Sequence, residues 1–307
     1  MKEIVPSYYK KFKCIGSACH HNCCIGWEID IDPDTMEKYE RVGGVFGKIL
    51  DSSIDREAEC PHFILGNNER CPFLNENNLC DIISTLGEDY LCDICKAHPR
   101  FNNFLSDRVE RGLGLCCEEA CRIILSENEP FTLEITENPH PCGELSDYEA
   151  ELIAKRDLSL FIISDRSRPI SDRIKDISDL EIPPLPVNKW AEYLLSLEIM
   201  SEEWRALLEK AKSISAPLTY DGYESALENL MCYFVYRYVT NGDYDAKTDT
   251  VIGFCVLCSQ IITTFWSLFA ENTEDKTEIC RLFSQEIEYS EENVSAIMEL
   301  IEEYNEG

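Results

Sequence analysis

FKCIGSACHHNCCIGW, residues 12–27, sets Cys14, Cys19, Cys23 and Cys24 close together on a stretch with neither helical nor strand periodicity. Irregular backbone of this kind lets several sulfurs converge on one point, which a regular helix or strand prevents. A second, dispersed set follows: Cys60, Cys71 in CPFL, Cys80 in LCDI, Cys92 and Cys95 in LCDICKAHPR, and Cys116-Cys117 before EEACR. The chain has 17 cysteines, most of them between Cys14 and Cys142. Disulfides are disfavoured in a reducing compartment, and a chain of 307 residues does not need them for stability. Crowded thiols in such a chain point to metal. Four thiolates satisfy either zinc or a [4Fe–4S] cluster, and composition does not separate the two. A zinc ion that merely staples the region would contribute on the order of 10–16 kcal/mol.

The remaining cysteines carry less weight. Cys255 and Cys258 lie on an apolar helical stretch and read as core thiols, as do Cys232 and Cys280. Cys142 is open to either reading. His20 and His21 adjoin the first cysteine group and are candidate ligands, although loop histidines are more often simply exposed. His98, beside Pro99, is a weaker candidate still.

The net charge of −30 excludes the clustered Lys and Arg of a phosphate-binding surface, so nucleic acid is not an expected partner. An acidic field attracts cationic groups such as exposed lysines, or simply favours solubility. Met1 to Lys13 lacks the apolar core of a secretory leader. VIGFCVLCSQIITTFWSLFA, residues 251–270, is free of charge but carries Ser259, Gln260, Thr263, Thr264 and Ser267. It reads as a central helix buried on all sides, with no membrane span, and the expected location is cytoplasmic.

Residues 1–145 read as a loop-rich, cysteine-dense metal domain and residues 146–307 as a helical domain, giving a mainly α fold with short strands near the amino terminus. Trp27, Ile29 and Ile31 alternate with acids as in a half-buried strand. Asp32-Pro33 opens a helix to about Arg41. Residues 63–65 and 73–74 flank Gly66-Asn67-Asn68 as in a small hairpin, residues 118–125 read as a helix and 131–136 as a strand. Ser146 to Glu149 forms a capping box ahead of a helix ending at Ile163. After Pro183, Pro184 and Pro186 come helices at about 187–199, 201–213, 221–240, 247–270, 275–289 and 291–304.

Common enzyme fingerprints are missing. Gly43-Gly44 and Gly112-x-Gly114 do not follow a strand in a βαβ unit, so no dinucleotide loop is supported. A C-x3-C-x2-C spacing fails because Gly26 stands where its third cysteine would fall. Neither G-x-S-x-G nor H-E-x-x-H occurs.

Three ordered stretches, FKCIGSACHHNCCIGWEIDID, CPFLNENNLCDIISTLGEDYLCDICKAHPR and LGLCCEEACRIIL, resemble the flagellin lysine-N-methylase family of bacteria. The wider pattern is also similar to zinc- or iron-chelating cysteine-cluster proteins. The resemblance carries the family's cysteines onto Cys14, Cys19, Cys23, Cys24, Cys71, Cys80, Cys95 and Cys117, leaving Cys92, Cys116 and Cys121 as additions. It implies S-adenosylmethionine as methyl donor, a [4Fe–4S] cluster (with zinc as the alternative), and flagellin as the protein substrate. Cys71, Cys80, Cys95 and Cys117 are the preferred cluster ligands, with Cys19, Cys23 and Cys24 forming or supporting a second site. Candidate bases for the substrate lysine are Tyr90, Asp93 and Asp81. Arg100 and Arg122 are candidates for the donor's carboxylate, or else ordinary salt-bridge residues. A non-catalytic metal-chelating protein and a zinc-stapled interaction scaffold remain open beside the methylase reading.

Overall fold

The computed structural model describes residues 1–137, 142–219, 222–242, 244 and 246–307. The expected helix start at residue 221 lies outside them. The chain forms two compact units, one of residues 13–100 and one of residues 1–12 with 101–307. The division by contacts therefore falls at 12/13 and 100/101 and not at the compositional boundary of 145/146. Cys116, Cys117, Cys121 and Cys142 go with the helices.

The chain opens with strand β1 (Lys2–Pro6) and then enters the cysteine-rich unit. There, helix α1 (Pro33–Glu40) starts where the sequence demands. The Asp32 carboxylate accepts from Thr35 N at 2.8 Å, and Pro33 takes the first helical position, where no N–H is needed. Helix α2 (Gly44–Ser52) and the short strands β2 (Ile54–Asp55) and β3 (His62–Phe63) follow. Helices α3 (Asp81–Leu86) and α4 (Asp93–Ala97) complete the unit. Its core is small: Ile29, Ile31, Tyr39, Leu50, Phe63 and Phe73 pack with Cys71 and Cys92.

Two expectations fail here. The alternation at Trp27, Ile29 and Ile31 does bury Ile29 and Ile31, but residues 27–31 form no strand. The segment makes single bridges, Ile25 to Arg70 and Asp30 to His62, the latter flanked by Ile31 N donating to Pro61 O at 2.8 Å and Phe63 N to Ile29 O at 3.1 Å. The hairpin is also different. Phe63 pairs with Ile54, and Asn67–Glu69 forms a tight turn closed by Gly66 N donating to Arg70 O at 2.7 Å.

The larger unit holds strands β4 (Arg100–Leu105), β5 (Arg108–Leu113) and β6 (Leu133–Glu137), separated by helix α5 (Glu118–Leu125). The sheet order is β4-β5-β1-β6, with β1 parallel to β5 and antiparallel to β6. Helix α6 (Asp147–Ile163) begins on the expected capping box. Helix α7 (Ile170–Ile177), absent from the sequence expectations, buries Ile170, Arg173, Ile174 and Ile177 along one side. Helices α8 (Val187–Ser196), α9 (Glu202–Ala211), α10 (Glu224–Tyr238) and α11 (Thr248–Phe269) follow, then α12 (Thr273–Phe283) and α13 (Glu291–Glu306). The helix expected at 275–289 is interrupted, since residues 284–288 widen into a π turn that sends Glu286 and Glu288 inward.

Helix α11 is the spine of this unit. Over its most apolar window it is 83 % buried in protein. Its hydroxyls are satisfied by the helix itself: Ser259 donates to Cys255 O and Thr263 to Ser259 O, at 2.9 and 2.8 Å. Burying Phe254, Phe265 and Trp266 contributes on the order of 1.5–3 kcal/mol each. Trp190 and Trp204 extend the same core.

Candidate metal centre

In the unit of residues 13–100, short elements bring sulfurs from four places together. Cys71 N donates to Cys24 O at 2.9 Å, which joins the first cysteine group to the CPFL segment. A bridge between Leu74 and Cys80 brings in the next thiol, and Cys80 and Cys92 are the residues from which α3 and α4 start. Cys95 lies one helical turn beyond Cys92. Trp27 Nε1 donates to Cys23 O at 2.6 Å and Cys24 N to Asn22 Oδ1 at 2.9 Å, so the Cys23-Cys24 step is held on both sides.

These six thiols influence one another's ionisation, although among the described residues no three of them bring their sulfurs within 4.8 Å of one another. Burial pushes the Cys71 thiol up to about 11, and negative charge on Cys80 or Cys92 pushes the same way. Burial likewise raises Cys80. Opposing this, the backbone N–H groups of Phe73 and Leu74 donate to the Cys71 sulfur, and those of Ile82 and Ile83 to Cys80. The other four work as two proton-sharing pairs. Its hydrogen bond to Cys24 lowers Cys23 and raises Cys24, and the bond between Cys92 and Cys95 lowers Cys92 and raises Cys95. Tyr39 Oη sits 3.6 Å from Cys92 Sγ and donates to Tyr90 O at 2.8 Å.

This is a set of thiols that repel one another once ionised, with backbone donors aimed at the sulfurs. A cation among them would replace the shared protons and remove the repulsion. The donor set is all sulfur, which fits zinc and iron–sulfur alike. The first and second cysteine groups meet here: Cys24 feels the charge of Cys71 and Cys80, and Cys95 that of Cys23. Cys92, set apart from the pattern by the resemblance, lies fully buried within the group. Nothing in its LCDI-type context distinguished it, but its place three residues before Cys95, at a helix start, was a usable signal.

The other candidates fall as follows. Cys14 is exposed, its sulfur accepting from Gly16 N at 3.4 Å. The Cys19 thiol donates to His21 O at 3.2 Å. His98 is held neutral, its pKa lowered to about 4 by burial and then by Arg100. Its Nε2 is buried and, among the described residues, has no hydrogen-bond partner. Asp81 accepts from Asn75 Nδ2 at 2.8 Å, and Asp93 is mainly exposed, 3.6 Å from Lys96 Nζ. Arg100 donates to Lys96 O at 3.3 Å.

In the larger unit, Cys117 is the residue from which α5 starts and packs against the helical core. Arg122 holds both oxygens of Glu119, at 2.6 and 2.7 Å. The thiol of Cys116 donates to Tyr289 Oη at 3.1 Å. Cys142 is exposed. Cys121, Cys232, Cys255, Cys258 and Cys280 are buried core thiols, and burial drives Cys121, Cys232, Cys255 and Cys258 upward.

The ligand atoms of Glu28, Asp30 and His62 lie within 4.8 Å of one another. His62 Nδ1 lies 3.0 Å from Cys60 O and Nε2 3.2 Å from Glu28 Oε2.

Fold and site together define a mainly α, cysteine-rich protein with a nest of thiols in a small separate unit. The model for the FliB lysine N-methylase C-terminal domain matches residues 177–306. The flagellar biosynthetic protein FliU of Salmonella muenchen is 32 % identical over 145 residues, 43 % of this chain and 84 % of that protein. Lysine-N-methylase of Salmonella typhimurium is 33 % identical over 149 residues, 45 % of this chain and 36 % of its own length. The corresponding protein of Salmonella choleraesuis matches equally, so the match spans about a third of these two curated relatives. The chain belongs to the FliB lysine-N-methylase family. No solved structure matches it.

Proposed function

We propose that this protein is a protein-lysine N-methyltransferase that uses S-adenosylmethionine and a cysteine-bound [4Fe–4S] cluster, and that its substrate is flagellin. The methylase names of the Salmonella relatives support the reaction class, and the flagellar name of FliU supports the substrate. The observation that carries the cofactor reading is the nest of Cys23, Cys24, Cys71, Cys80, Cys92 and Cys95, with backbone donors on two of its sulfurs. Cys71, Cys80 and Cys95 are the ligands proposed within it. Cys117, Cys14 and Cys19 are assigned by the family resemblance. A bound cluster would supply Lewis acidity for holding the donor. The reaction belongs in the cytoplasm, where thiols stay reduced.

The chain's own residues have two tasks. The substrate lysine must be neutral before it accepts a methyl group, and lowering its pKa from ~10.4 to ~7.5 corresponds to about 4 kcal/mol. Asp93 and Tyr90 are the proposed acceptors of that proton. The donor's carboxylate needs a cation. Arg100 is preferred over Arg122, whose guanidinium fork already grips Glu119. The net charge of −30 draws a lysine-bearing partner towards the protein.

The test is to reconstitute the full chain anaerobically with iron and sulfide, incubate it with S-adenosylmethionine and flagellin, and weigh the flagellin. Methyl increments on lysine are expected. A loaded cluster with no added mass overturns the reading in favour of a metal-chelating protein, and a colourless zinc-only protein overturns the iron–sulfur part.

A further inference from the structure

Outside the thiol nest, one surface of the larger unit combines apolar walls with unbalanced negative charge. A groove of about 350 Å³ is lined by Pro183, Pro184, Leu185, Leu300, Glu303 and Tyr304. Its walls are held firmly. Asn305 clamps the proline segment to α13, its Oδ1 accepting from Glu181 N and its Nδ2 donating to Glu181 O, both at 3.0 Å. Tyr193 fastens the other side of α13 by donating to Ala296 O at 2.8 Å. On α13, Leu300, Glu303 and Tyr304 fall on one face through their i, i+3, i+4 spacing. Leu300 and Leu185 reach down to the core, while Tyr304 is 42 % exposed at the rim.

The charge is one-sided. Glu302 and Glu306 are both paired with Lys247, at 2.9 and 3.0 Å. Glu299 and Glu303, one turn apart, make no ion pair among the described residues. Like charges at i, i+4 repel, and together they push the Tyr193 phenol up to about 12, after burial, which is the larger cause. An apolar slot ending in an uncompensated carboxylate beside an aromatic ring suits a long aliphatic stem that carries a cation.

We propose that this groove is a docking site for a lysine side chain of the protein substrate. The stem lies against Pro183, Pro184 and Leu300, and the ammonium meets Glu303 and the face of Tyr304. The identity of the partner rests on the methylase reading, whereas the preference for lysine rests on the groove. No methyl transfer is assigned to it. The groove lies within the stretch matched by the family's C-terminal domain, apart in sequence from the cysteine nest.

The experiment uses the full chain and two fluorescein-labelled peptides that differ only in lysine against norleucine at one position between apolar residues. Anisotropy should show the lysine peptide binding several-fold more tightly, with the difference shrinking as salt is added. Glu303→Gln should abolish the difference, and Leu300→Ser should weaken both peptides. With flagellin as substrate, Glu303→Gln should raise KM and leave kcat unchanged. Equal binding of the two peptides, or an unchanged KM in Glu303→Gln, overturns the docking site while leaving the methylase reading standing. Peptide discrimination without any methylation of flagellin does the reverse.

Discussion

Arg156 of α6 and Glu110 of β5 face each other as a buried ion pair, with Nη1 and Nη2 2.7 and 3.0 Å from the two carboxylate oxygens and the side chains 1 % and 0 % exposed. Thr240 donates to the same carboxylate at 2.8 Å, and the guanidinium lies over the Tyr236 ring. The pair fastens the sheet to the helices through groups that water does not reach. Arg156→Met leaves the Glu110 carboxylate buried without its cation and should cost roughly 3–5 kcal/mol, whereas Glu110→Leu should cost less, because Arg156 Nε keeps Asp157 Oδ1 at 2.6 Å. The double variant should recover much of that, because well-packed apolar groups replace a buried pair at little net cost. Urea denaturation of the four proteins checks this, and additive losses in the double variant would contradict it.

Metal retention should follow the nest and not cysteine number. Cys92→Ser, like Cys71→Ser and Cys95→Ser, should lower bound metal per chain. Cys60→Ser, at an exposed position outside the group, should leave it unchanged. Metal analysis after anaerobic reconstitution decides the point, and full retention in Cys92→Ser would remove that residue from the centre.

His98 should make the metal-free protein acid-sensitive. An imidazole in the unfolded chain titrates near 6.5, and the folded protein holds His98 down to about 4. Between those values the unfolded chain binds a proton that the folded chain refuses. Stability is therefore full above the unfolded value and falls as the pH drops from about 6.5 towards 4, by roughly 3 kcal/mol at the lower end. Its ring lies 6.3 Å from Trp27, so tryptophan fluorescence can follow the transition. The pH slope over this window should flatten in His98→Asn; an unaltered slope would show that other groups cause it.

Gly112 should not tolerate a methyl group. A Cβ there would meet the Phe101 ring at 2.1 Å, and that ring is held against Tyr233, Tyr236 and the Arg237 guanidinium. Gly112→Ala should destabilise by roughly 1–3 kcal/mol through overpacking. Thermal unfolding of the variant is the measurement, and an unchanged Tm would mean that Phe101 can move aside.

What the sequence revealed was local. Asp32 before Pro33 and the Ser146–Glu149 box each fix a helix start through bonds spanning three residues. The apolar run ending at Phe269 declared a central helix by composition alone. Long-range partners were hidden. Nothing in Lys2–Pro6 announces pairing with residues 108–110, and Phe63 fits beside Ile54 as well as beside Phe73 until the Gly66–Arg70 turn is closed. The cysteines showed the same division. Their abundance signalled a thiol site, but the approach of Cys24 to Cys71 depends on a backbone contact between distant segments. Helix α7 escaped notice because it is one short stripe of Ile170, Ile174 and Ile177 squeezed between Pro169 and the proline segment.

The position of β1 between β5 and β6 sets an order of events during synthesis. The ribosome delivers Lys2–Pro6 first, yet both neighbours of that strand emerge only after the whole of residues 13–100. For that interval the strand has no sheet to join, while everything the cysteine-rich unit needs is already outside the exit tunnel. The unit can therefore fold, and meet whatever loads it, before the larger unit closes. A stalled nascent chain just long enough to have cleared residues 13–100 from the tunnel, with β5 still inside it, should be competent for metal uptake by those residues yet open to proteolysis at its first strand.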